Sequence, residues 1–236
     1  MTNNRSPELT TIDGWPFRIS KAAVQTKPAR VLLLLHGHLG NENVMWIFSK
    51  QIPENFTILS PRAPEKLGPE QFSWHKIGPR WPDLQKYQDL SNELLTRVNF
   101  WLEENDIHAD QLDLLGFSQG AVMAYALAIS KPDKIGRVAA LAGFIPNSWK
   151  KKTNSLNWTG KKFFVAHGNQ DDIVPIRKAY QAKEWLQKHG ASVEFCEADI
   201  GHKLSANCFS GLETFFRLRL TAAYDGDDSK KDPQRC

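Results

Sequence analysis

Cysteine is scarce in this chain: Cys196, Cys208 and Cys236 are the only three in 236 residues. An odd count without the short spacings of a metal site argues against a disulfide framework and for a reducing compartment, so the cytoplasm is the expected setting. Long apolar runs are also missing. The longest aliphatic stretch, Val31 to Leu35, is far too short to cross a bilayer, and no integral membrane association is expected. Met1 to Thr10 is polar, with Pro7 and Glu8, and lacks the apolar stretch of a secretory signal. No internal repeat and no interior Pro- or Ser-rich linker divides the chain. Nor does one sign of charge dominate. The formal net charge is +4, and the clusters Lys150-Lys151-Lys152 and Lys161-Lys162 lie beside apparent loop or strand ends, as solvated surface does. Without a recognition motif, so modest a charge gives no ground for a nucleic-acid partner.

What is present is a balance of 41% hydrophobic to 24% charged residues, enough apolar material for a sizeable core. Residues 1–220 read as a single domain, and the charged, hydrophobe-poor stretch 221–236 reads as a disordered tail. Short apolar runs at Val31–Leu35, Phe56–Leu59, Leu112–Leu115, Val138–Leu141, Phe163–Ala166 and Val193–Cys196 alternate with stretches of helical periodicity. That alternation predicts an α/β fold with a mostly parallel central sheet and helices on both faces. After Asp83, a candidate N-cap, Leu84, Tyr87, Leu90, Leu94, Leu95, Val98, Trp101 and Leu102 form one helical stripe suited to core packing. From Gln119 to about Ser130 the chain is apolar almost all round, as a buried helix is, and Lys131-Pro132 ends it. Ile12-Asp13-Gly14-Trp15-Pro16-Phe17 predicts an antiparallel hairpin at the sheet edge.

Between the Leu112–Leu115 strand and that buried helix stands Gly116-Phe117-Ser118-Gln119-Gly120. A Gly-x-Ser-x-Gly string alone is weak, but a preceding strand and a following helix make it a nucleophile elbow. A serine exposed on so sharp a turn needs glycines beside it, because a β-carbon would strike the neighbouring strand or helix. The helix N-terminus and the free amide of Gln119 would then favour an oxyanion. A serine hydroxyl needs a general base, usually a histidine oriented by a carboxylate, and in the α/β-hydrolase fold these follow in the order Ser, Asp or Glu, His. His202, after the Val193–Cys196 strand in Ala198-Asp199-Ile200-Gly201-His202, suits the last place. The strand Phe163–Ala166 runs into His167-Gly168-Asn169-Gln170-Asp171-Asp172, and periodicity cannot choose between the two aspartates. Asp199 is a more distant alternative, too near His202 in sequence. The glycines of Leu35-His36-Gly37-His38-Leu39-Gly40-Asn41 suit a second oxyanion donor, although a plain β-turn would use them too.

Five blocks in order, Leu35-His36-Gly37-His38-Leu39-Gly40-Asn41-Glu42-Asn43, Ser60-Pro61-Arg62-Ala63-Pro64, Gly116–Gly120, His167-Gly168-x-x-Asp171-x-x-Val174-Pro175 and Gly201-His202, together resemble the phospholipase/carboxylesterase family of α/β-hydrolases, which includes acyl-protein thioesterases and lysophospholipases. The resemblance implies Asp171 as the triad carboxylate, since the family's aspartate stands four residues after the His-Gly histidine. It implies the amides of His38 and Gln119 as oxyanion donors. The loop His38-Leu39-Gly40 differs from the smaller, glycine-richer loop of relatives, which keeps Leu39 as the alternative to His38. Phe72-Ser73-Trp74-His75 lies where relatives carry a Trp-Phe pair, so Trp74 reads as a wall of the substrate pocket, with a structural aromatic role as its alternative.

The expectation is a Ser118, His202 and Asp171 hydrolase that forms an acyl-enzyme and needs no metal or organic cofactor. No insertion between Gly120 and Asp171 is long enough for a large lid domain. That favours a carboxylesterase for short or medium acyl groups, with an acyl-protein thioesterase or lysophospholipase as the alternative; the partner is a small-molecule ester or thioester. A noncatalytic binding protein on the same fold would be expected to lack a triad member, and none is missing. The sequence sets no oligomeric state.

Overall fold

The computed structural model describes residues 7–76, 78, 82–153 and 156–217, so the charged stretch 221–236 and Cys236 lie outside the described residues. The chain opens with the expected hairpin: β1 (Glu8–Ile12) and β2 (Trp15–Ser20) pair antiparallel. Asp13 and Gly14 between them sit at φ 44° and 79°. Two successive positive φ values are what a type I′ turn demands, and Asp-Gly meets that demand cheaply.

The chain then builds β3 (Arg30–Leu35), a 3-10 helix over Val44–Gln51, β4 (Phe56–Pro61) and a small hairpin of β5 (Glu65–Gly68) and β6 (Gln71–Ser73). Next are α1 (Leu84–Glu104), β7 (Leu112–Phe117), α2 (Gln119–Ser130), β8 (Ile135–Leu141) and α3 (Asn147–Lys152). β9 (Lys162–Gly168), α4 (Arg177–Lys188), β10 (Ser192–Ala198) and α5 (Ala206–Arg217) complete the described chain.

Eight strands form one sheet in the order β1-β2-β4-β3-β7-β8-β9-β10. β2 is antiparallel to both neighbours, while each pair from β4 through β10 is parallel. All six expected apolar runs fall in strands, five of them buried at every residue and the sixth, Val193–Cys196, partly exposed on the edge strand β10. Side chains alternate across β3: Val31, Leu33 and Leu35 pack with α1, α2 and α4, whereas Leu32 and Leu34 pack with the 3-10 helix and α5. Both faces are thereby covered, as a parallel sheet requires. On α1 every residue of the expected stripe is buried except Leu90, which is half-buried. α2 is buried from Gln119 to Ile129 and stops at Ser130, because Pro132 cannot continue it.

The cysteine expectation needs correction. Cys196 on β10 and Cys208 on α5 are joined in a disulfide, with a Cα separation of 5.7 Å. An odd count still permits one pair, and the turn from β10 into α5 folds the intervening residues back so that the two sulfurs meet. No helix among the described residues is long and apolar enough to cross a membrane.

Candidate active site

The chain leaves β3 toward β4 on one side and reaches β7 on the other, so a crevice opens at the carboxyl ends of β3 and β7, where α/β sheets bind ligands. Ser118 stands at that end of β7 with φ 54° and ψ −116°. Such a backbone costs a non-glycine residue about 1–3 kcal/mol and persists only when its surroundings fix it. Here Ser118 N–H donates to Leu141 O on β8 at 2.8 Å, and Ser118 O accepts from Ala121 N at 3.0 Å and Val122 N at 3.2 Å. The flanking glycines have no room for side chains. A β-carbon on Gly116 would stand 2.2 Å from Gly120 O, and one on Gly120 would stand 2.0 Å from Leu35 O. Gln119 is the first residue of α2, so its amide is one of those a helix leaves without an internal acceptor.

Parallel pairing of β9 and β10 sets Glu197 opposite His167 and Ala198 opposite Gly168, so the next two loops leave the sheet side by side. Gly168 is indispensable to that approach, since a β-carbon there would lie 2.1 Å from Ile200 O. The two loops bring Asp171 Oδ2 to 2.7 Å from His202 Nδ1. A carboxylate accepts, so the His202 proton sits on Nδ1 and the Nε2 lone pair is left free. Asp171 Oδ1 accepts the amides of Ile173 at 3.0 Å and Val174 at 2.8 Å. Asp172 is exposed, and Asp199 accepts from Gln170 Nε2 at 2.7 Å instead. The ambiguity that periodicity left between Asp171 and Asp172 is thus resolved by position: only Asp171 meets the imidazole. The Phe117 ring, one residue before Ser118, lies 5.0 Å from the His202 ring and brings the imidazole beside the elbow.

The loop after β3 closes the other side. Gly40 N donates to Gly37 O at 3.1 Å, making His38 and Leu39 the central residues of a turn, with Leu39 at φ 64°. A β-carbon on Gly37 would lie 3.4 Å from Ser118 Cβ, so this turn borders the serine. Its base is braced by His36, whose Nε2 accepts Ala63 N–H at 3.0 Å and whose Nδ1–H donates to Gly37 O at 2.7 Å. Burial pushes the pKa of His36 down to about 4, which keeps it neutral in this bracing role. Trp74 is 2% exposed and donates its indole N–H to His36 O at 2.7 Å. Gln119 reaches across with its side chain: Oε1 accepts Trp74 N–H at 2.9 Å, and Nε2 donates to Ser73 Oγ at 2.9 Å. His38 Nδ1 lies 3.2 Å from the same Ser73 Oγ, and desolvation lowers the pKa of His38.

Every residue expected to act therefore lies on one of four segments that meet around Ser118, with Trp74 behind the turn after β3. Sequence reasoning missed Ser73 and the side chain of Gln119 as a clamp between that turn and the elbow. It also missed His167 beneath Asp171; its place four residues before the aspartate was the available signal. Among the described residues no group of three or more His, Cys, Asp or Glu side chains is placed to hold a metal.

Comparison with known proteins places the chain among esterases and thioesterases. The acyl-protein thioesterase 1 of Saccharomyces cerevisiae is 31% identical over 188 residues, spanning 71% of this chain and 82% of the relative. Esterase YpfH of Escherichia coli is 26% identical over 189 residues, spanning 75% and 78%. The Bacillus cereus carboxylesterase structure superposes with a TM-score of 0.76 at 20% identity, covering 87% of this chain and 94% of that one. A carboxylesterase from Mesorhizobium loti gives the same TM-score at 18% identity, covering 89% and 98%; both likenesses establish the α/β-hydrolase fold. The family model described as phospholipase/carboxylesterase matches residues 19–220, a span that takes in the turn after β3, the serine elbow and both loops beyond β9 and β10; the chain belongs to that family.

Proposed function

We propose that the protein is a serine carboxylesterase that releases short or medium acyl groups through an acyl-enzyme, with residues 1–220 as one catalytic domain. The 2.7 Å contact between Asp171 and His202, beside the positive-φ turn of Ser118, carries this reading. His202 Nε2 takes the Ser118 hydroxyl proton as the oxygen attacks the ester carbonyl. The amides of His38 and Gln119 bind the resulting oxyanion, and His202 returns the proton to the departing alcohol. Water then attacks the acyl-serine with the same histidine as base, restoring Ser118 and freeing the acid. Trp74, held by His36 and Gln119, backs the pocket. Leu39 and Ile173, 47% and 67% exposed, supply apolar surface on two of the converging loops.

Ser118→Ala is expected to lower kcat on p-nitrophenyl butyrate by about 10⁴-fold or more while the melting temperature stays within a few degrees. Retained turnover would overturn the mechanism. A thioesterase reading has its own support in the 31% identity to the yeast protein named for that activity. Rates on p-nitrophenyl esters of two to sixteen carbons, beside a palmitoyl thioester and a lysophospholipid, separate the readings: the proposal expects its maximum at or below about ten carbons. The proposal keeps the cytoplasm as the location, although the disulfide removes the argument from scarce cysteine. Because the bonded Cys196–Cys208 pair is the form that oxidising compartments favour, recovery of the protein from an envelope or secreted fraction would overturn that location.

A further inference from the structure

His167 lies at the end of β9 with its side chain wholly buried. Its Nε2 is 2.6 Å from Val174 O and 3.2 Å from Asp171 Oδ2. A carbonyl oxygen only accepts, so the imidazole proton is on Nε2. Nδ1 is buried and has no hydrogen-bond partner among the described residues, so a second proton there would be stranded away from water. Among the described residues Asp171 and His202 are the titratable groups that act on this ring, and burial outweighs the carboxylate, so the pKa of His167 is lowered.

Val174 is held at both of its backbone groups: its N–H donates to Asp171 Oδ1 and its C=O accepts from His167 Nε2–H. The turn that presents Asp171 is therefore closed between its own carboxylate and this imidazole. We propose that His167 is a positioning residue, kept neutral, which locks the Asp171 turn and steadies Oδ2 without competing for it as a cation would. This rests on the Ser118, His202 and Asp171 reading. A protonated ring 3.2 Å from Oδ2 would draw the carboxylate away from the imidazolium that forms on His202 during acyl transfer. A neutral N–H leaves that interaction intact.

The test compares His167→Leu, which offers no donor, with His167→Gln, whose carboxamide nitrogen can occupy the place of Nε2. In His167→Leu, kcat on p-nitrophenyl butyrate is expected to fall about 10- to 100-fold with KM within about twofold, and His167→Gln to recover at least half of the logarithmic loss. Equal activity of His167→Leu and wild type, or equal loss in both variants, would overturn the assignment. Asp171→Asn run in parallel keeps the two levels apart: if it stays active, the triad reading fails; if it is inactive while His167→Leu is unimpaired, only the role of His167 fails. Should His167→Leu not fold, ¹⁵N chemical shifts of the histidines in the wild type decide the matter. At pH 7–8, above the ordinary histidine pKa that burial lowers further, His167 is expected as the Nε2–H tautomer with an unprotonated Nδ1. An imidazolium or an Nδ1–H tautomer in that range would contradict it.

Discussion

Both oxygens of Asp171 are committed, Oδ1 to the amides of Ile173 and Val174 and Oδ2 to His202, with His167 beside it. The carboxylate thus has one orientation, and that orientation fixes which imidazole nitrogen carries the proton. Asp171→Asn should keep the fold and lose about 10³- to 10⁴-fold in kcat, because an amide in that place favours the wrong tautomer. Asp172→Asn, at an exposed position, should stay within about twofold; both are read from initial rates on one activated ester. Adjacent aspartates were indistinguishable by spacing alone. What separates them is a side chain turned back on its own backbone two and three residues ahead, a local hydrogen bond that no periodicity records. His36 makes a second prediction at this scale. Its folded pKa of about 4 lies below the ordinary 6.5, so between those values the unfolded chain binds the extra proton. Stability that is fully present above pH 6.5 is lost as pH falls toward 4, by about 3 kcal/mol from this residue. His75 and His167 shift in the same direction and add to the slope. Urea unfolding at pH 7.5 and 4.5 measures it; equal stability at the two values would contradict a buried neutral His36.

Strands and helices place these residues by simple means. The elbow depends on Gly116 and Gly120, whose absent β-carbons let α2 start against β3, and here the pattern in the sequence stated the steric need directly. The strands of the sheet and the buried α2 were equally legible, since long apolar runs and all-round hydrophobicity have few other uses. Less legible were α4 and the β5–β6 hairpin. α4 buries only Ala179, Ala182, Trp185 and Leu186 among many charged residues, and the hairpin is short and largely exposed. The disulfide was missed because pairing depends on how β10 turns into α5. Those partners are 12 residues apart in sequence and enclose His202. α5 has other anchors: Leu212, Phe215 and Phe216 are buried, and Arg30 and Arg137 donate to the carbonyls at its far end. Reduction should therefore cost about 2–3 kcal/mol and lower the melting temperature by roughly 5–10 °C without loss of the native circular dichroism at 25 °C. Identical melting curves with and without dithiothreitol, after alkylation has confirmed reduction, would contradict a bond that restrains the unfolded chain.

Over the whole molecule, four loops from β3, β7, β9 and β10 meet at one end of the sheet although His36 and His202 stand 166 positions apart in the sequence. Strand order does this work. β3 and β7 are neighbours through a crossover, and β9 and β10 continue the same parallel series, so every loop that follows a strand emerges at one end. The alternation of strand and helix in the sequence implied parallel strands, and the order of Ser118, Asp171 and His202 along the chain implied which loops would converge. The detailed packing behind them, from the Gln119 clamp on Ser73 to Trp74 on His36, depends on residues far apart in sequence and became visible only once the sheet was assembled. In the proposed mechanism this convergence makes one serine nucleophilic. A fluorophosphonate forms a covalent adduct only with such a serine, so peptide mass mapping after labelling tests the claim most directly. A single adduct is expected, on the peptide that contains Ser118 and absent from Ser118→Ala; an unlabelled folded protein, or an adduct at another serine, would overturn this assignment.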